Sequence, residues 1–164
     1  MGTPAPTRPY DDAYLQAYSD EHVSYEFDMF LWSARLCASG AQLQAPSPPD
    51  ATRLNNVLVE GFVVHLRNVI DFLYLERPQA TDVVAADFCA TGAWQPTISE
   101  TLEAARVRAN KEIAHLTTAR IAGAPPAKGW DFADLAAELH PPMRLFVSKA
   151  LPSRLSPKVG TVTR

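Results

Sequence analysis

Residues 52–77 read TRLNNVLVEGFVVHLRNVIDFLYLER, and this stretch decides the fold. Leu54, Leu58, Phe62, His65, Val69 and Phe72 recur at spacings of three and four, the period of one helical face. Further apolar residues widen that stripe, which places the helix centrally among other helices rather than at a rim. Glu60, Val64, Arg67 and Asp71 form a more polar row on the other side, with Arg67 and Asp71 spaced for an i,i+4 pair. The breaker Ala45-Pro-Ser-Pro-Pro-Asp50 precedes the helix, Asp50 or Thr52 caps it, and Pro78 ends it near Arg77.

Working outward, Tyr10 to about Ala38 contains no Pro or Gly, and Gly40 offers a stop. Leu15, Tyr18, His22, Tyr25, Met29 and Leu36 fall close to one face of this first helix, and Asp11 and Asp12 suit the positive end of its dipole. Thr81 to Cys89 makes a short helix at most, followed by a loop through Pro96. Thr97-Ile-Ser-Glu100 has the capping-box pattern and opens a third long helix to about Ala122. A fourth starts near Trp130-Asp131, and Pro141-Pro142 is expected to break or sharply kink it before Met143–Leu151. No segment alternates as a strand does. The expectation is an all-α, up-and-down bundle of four to five helices with a Pro-kinked last helix. Residues 1–9 read as a disordered lead, 10–151 as one helical-bundle domain, and 152–164 as a flexible basic tail.

Composition narrows the function classes. At roughly 150 residues per domain, 164 residues suggest one domain. A net charge of −3 excludes a strongly basic, histone-like nucleic-acid binder. No run is apolar enough to span a membrane and the N-terminus lacks a signal-peptide core, so a cytoplasmic protein is expected. Cys37 and Cys89 read as small buried hydrophobes. Seven scattered glycines make no phosphate cradle, and no cofactor is expected.

The most informative polar row lies on the third long helix. Arg108, Glu112 and His115, at i, i+4 and i+7, project from nearly one face. Arginine stabilises charge on phosphate oxygens and histidine exchanges a proton near neutral pH, so the row could handle a phosphodiester. The competing reading is a solvated face on which Glu112 pairs with Arg108. Glu112-Ile-Ala-His115 also has the Glu-x-x-His spacing of di-iron bundles, but no second copy exists, and no metal is expected. His65 reads either as a supporting partner of this row or as a hydrogen-bonded core histidine, and Asn68 could join either arrangement. His22 and His140 receive no role. The aromatic residues of the first helix, interleaved with acids, suit packing better than base stacking.

His65-Leu-Arg-Asn-Val-Ile-Asp-Phe-Leu73 and Arg108-Ala-Asn-Lys-Glu-Ile-Ala-His-Leu-Thr117 resemble the HEPN superfamily of small helical bundles. Many bacterial members are toxins or defence ribonucleases with an Arg-x4–6-His motif on a core helix, which Arg108 and His115 match in its long form. The resemblance implies metal-independent RNA cleavage at a homodimer interface, or RNA binding. It gives His115 the proton transfer, Arg108 the phosphate, and Asn110 a supporting place one position later than the polar residue many members carry. It also implies a neutralising partner protein where the member is a toxin. The family includes inactive members, so a non-catalytic dimerisation or partner-binding module is the alternative.

Overall fold

A computed structural model of the protein describes residues 8–40, 44–114 and 129–164, and these are all-α. Asp11 caps α1 (Asp12–Tyr18) by accepting the Tyr14 amide at 2.7 Å. The helix continues through a π segment, Ser19–Val23, into α2 (Ser24–Ala38), and Gly40 follows with φ of 65°. The π segment changes which face is buried. Leu15, Ser19, Val23, Phe27, Phe30 and Ala34 turn inward, whereas the face expected from a uniform helix leaves Tyr25 about half exposed. A π turn takes more residues than an α turn, so inward positions step by four from Leu15 to Phe27.

α3 (Pro48–Tyr74) is the central helix. Ser47, not Asp50 or Thr52, caps it, and Pro48 and Pro49 occupy the first turn, where no amide is needed. Its buried side runs through Phe62, Leu66, Val69 and Leu73, while Leu54 is exposed. Phe30 stacks on Phe62 and Phe27 meets Phe72, so α2 and α3 are antiparallel.

α4 (Ala85–Phe88) is one turn, and α5 (Glu100–Ala109) is capped by Ser99 rather than Thr97. The Ser99 hydroxyl also donates to the Glu138 carboxylate, tying the start of α5 to α6. A second π segment, Asn110–Ala114, follows α5; the rest of the expected helix to Ala122 lies outside the described residues.

α6 runs from Phe132 to Lys149 without the expected break at Pro141-Pro142. Two missing amides leave the carbonyls of Ala137 and Glu138 without their helical donors. Packing holds the helix together across that gap, because Leu135, Leu139, Met143 and Phe146 form one buried stripe on both sides of the prolines. Phe146 lies at the centre of the core, with the rings of Phe27, Phe72, Phe88 and Trp94 around it.

The helical pieces therefore exceed the four to five expected, and α6 is not the last. Residues after Leu151 form a turn and α7 (Pro157–Val162) instead of a loose tail. Val159 is fully buried, the Ser156 amide donates to Ser19 Oγ at 2.8 Å, and the Ser156 hydroxyl donates to Asp20 at 2.6 Å. Arg154 reaches Asp12 at 2.6 Å. At the other end, Arg8 pairs with Asp87 at 2.7 Å, while residues 1–7 lie outside the described residues. No helix among the described residues is long and apolar enough to cross a membrane.

Candidate functional site

Arg108 sits in the last turn of α5 and Glu112 in the π segment that follows. The Arg108 Nε donates to Glu112 Oε2 at 2.9 Å, Nη1 donates to the Gly129 carbonyl at 2.8 Å, and the guanidinium lies 4.0 Å from the Trp130 ring centroid. An acid, a carbonyl and an aromatic face thus hold the cation on three sides, and it fastens α5 to the segment that leads into α6. Asn110, two residues on, is half-buried. His115 lies outside the described residues, so the row is seen only as far as Glu112. A shallow groove of about 620 Å³ runs along this side of α5, lined by Arg108, Lys111 and Glu112 among others.

The supporting residues expected on α3 belong elsewhere. His65 is buried and its Nδ1 lies 2.8 Å from Glu26 Oε2, with the Tyr25 ring edge-on at 5.6 Å. It is a core-edge histidine paired to α2. Asn68 is exposed and lines a polar cleft of about 590 Å³. That cleft lies between the π segment with the first turn of α2 and the C-terminal half of α3. Tyr18, His22 and Glu26 form one wall; Arg67, Asn68 and Asp71 form the other. Burial, with Tyr14 and Glu26 nearby, pushes the Tyr18 hydroxyl pKa above its ordinary value. Arg106, two residues before Arg108 and on another side of α5, reaches Asp71 at 3.6 Å.

Sequence reasoning missed this cleft because its two walls are far apart in the chain. The signal was present on each wall: Tyr18, His22 and Glu26 step by four, and Arg67 and Asp71 are four apart. Among the described residues no group of three or more His, Cys, Asp or Glu side chains could hold a metal ion.

A third feature is apolar. On the outside of the α2–α3 pair, Tyr25 and Trp32 of α2 stand exposed, as do Leu54, Val57 and Val64 of α3. Gly61 lies in that α3 row, and a Cβ built on it would meet nothing within 4 Å. No protein-family model, curated protein or solved structure matches this chain.

Proposed function

We propose that the chain is a helical self-association module that pairs with a second copy through the outer face of α2 and α3. The observation that carries this reading is the set of exposed apolar side chains on these two helices, Tyr25 being 52%, Trp32 46%, Val57 63% and Val64 46% accessible. The two aromatic side chains alone leave roughly 150–250 Å² in water. That is about a quarter of the ~800 Å² that each partner buries in a standard interface.

Charge placement favours a second copy of this chain as the partner. Asp28 and Arg35 are both exposed and lie two turns apart along α2, with Trp32 between them. An antiparallel two-fold axis near Trp32 sets Asp28 of one copy against Arg35 of the partner subunit, twice, with the apolar rows between. A face that complements itself in this way is what an isologous dimer requires. Light scattering on the purified protein at micromolar concentration tests the proposal. The expected mass is twice the 18.0 kDa chain. Trp32→Glu should give monomers with an unchanged helical circular-dichroism spectrum. Asp28→Arg should weaken the dimer, and adding Arg35→Asp should restore it. A wild-type monomer across that concentration range overturns the reading.

A second reading is metal-independent RNA cleavage in the manner of the HEPN superfamily. It is supported by Arg108 and Glu112 meeting on one face beside an open groove. Cleavage of cellular RNA in EDTA, leaving 2′,3′-cyclic phosphate ends and lost in His115→Ala, is its expected result. The three contacts that already occupy Arg108 favour the pairing module over it.

A further inference from the structure

Gly61 stands in the middle of α3, and nothing inside the folded chain calls for a glycine there. Glycine in a helix interior costs backbone entropy that alanine spares. Two reasons commonly keep one in place: a left-handed backbone, or a neighbour too close for a side chain. Gly61 has neither. The glycines of positive φ among the described residues are Gly40 and Gly92, and a Cβ built on Gly61 would meet nothing within 4 Å. The space in front of it is open, and its companions on that side of α3 are apolar. Leu54, Val57, Gly61 and Val64 follow at spacings of three, four and three, the a and d pattern of a helix seam, and the three side chains stand exposed.

The level of Gly61 along the helix pair agrees with the charge placement on α2. Asp28 and Arg35 set the two-fold axis of the pairing face near Trp32. Across the α2–α3 contact, Phe30 stacks on Phe62 and Glu26 lies 2.8 Å from His65. That antiparallel register puts Trp32 level with the turn of α3 that holds Gly61. Tyr25 packs edge-on against His65, the neighbour of Val64, so the exposed side chains of the two helices adjoin. An axis that lies in this face and crosses α2 near Trp32 therefore crosses α3 near Gly61. We infer that α3 crosses α3 of the partner subunit at Gly61, where the missing side chain lets the two backbones approach. The distance between packed helices depends on the side chains at their contact, and a position without one allows the shortest. The same axis sets Val57 of each copy beside Val64 of the partner subunit. This crossing rests on the pairing reading and deepens it, by naming the residue that sets its closest contact.

Sedimentation equilibrium of the full chain, read as a dimer dissociation constant, tests it. Gly61→Ala should weaken the dimer by about tenfold or more, because a methyl group at the crossing pushes the helices apart. Gly61→Leu should give monomers with an unchanged helical circular-dichroism spectrum. In the Trp32→Glu background, where the chain is expected to be monomeric, Gly61→Ala should raise the thermal midpoint. Alanine is the better helix former and meets nothing in its own chain. The two measurements thus move in opposite directions: the same methyl group helps the isolated chain and harms the pair. A wild-type monomer overturns this crossing together with the pairing reading. A wild-type dimer whose dissociation constant is unchanged or tighter in Gly61→Ala leaves the pairing reading standing and overturns the crossing alone. A lower midpoint in the Trp32→Glu background also overturns it, by showing that the glycine is needed inside the chain.

Discussion

Arg108 carries more contacts than its position in a helix row suggests. Its guanidinium makes three contacts: Glu112 beyond α5, and the Gly129 carbonyl and Trp130 ring of the segment that leads into α6. Hydrogen bonds to charged groups and cation–π contacts together suggest that Arg108→Ala lowers stability by about 1–3 kcal/mol. Arg108→Lys should recover only part, since an ammonium cannot fork between Glu112 and Gly129 while stacking on Trp130. Urea denaturation of the three proteins checks both. Unchanged stability in Arg108→Ala would mean that these contacts add nothing net to the fold. The Arg108–Glu112 pair was legible in the sequence, because i,i+4 spacing on one helix needs no tertiary information. The Trp130 stack was not, because it depends on how the chain returns after residue 114.

At the scale of elements, the differences between expectation and structure have local causes. The first long helix was legible as a length of chain without breakers. Its buried face was not, since a π turn leaves no mark in a pattern read at 3.6 residues per turn. α6 shows the opposite balance. Two prolines argue for a break, and a buried stripe from Leu135 to Phe146 overrides them. The C-terminal segment looks like a tail because its only apolar residues are short and sparse, yet Val159 is completely buried against the bundle. Val159→Ala should therefore cost about 1.5–3 kcal/mol, an amount suited to a buried aliphatic side chain. A lower urea midpoint with an unchanged slope is the expected reading. Wild-type stability in that variant would mean that α7 contributes nothing to the fold.

For the molecule as a whole, alkaline pH offers a test of the packing around its tyrosines. Burial is the largest cause raising the hydroxyl pKa of Tyr10, Tyr18 and Tyr74 above its ordinary value, and neighbouring groups such as Glu138 beside Tyr74 add to it. A folded pKa above the unfolded value means that the unfolded chain releases its protons first as pH rises. The stability from these groups is complete below the unfolded value of about 10 and is lost as pH climbs through the folded values. Thermal midpoints measured from neutral pH upward should hold steady and then fall above pH of about 10. Ultraviolet absorbance should show part of the tyrosine ionising at higher pH than free tyrosine does. The sequence by itself determined the all-α class and the central helix, because helical periodicity, caps and breakers act between residues a few positions apart. It also determined the pairing of Arg108 with Glu112. Only the tertiary structure decided which faces are buried, that α6 survives its prolines, and that the C-terminal segment docks. It alone brought Tyr18, His22 and Glu26 opposite Arg67, Asn68 and Asp71. The reason is physical: these outcomes depend on which surfaces exclude water together, and that is settled between segments far apart in the chain.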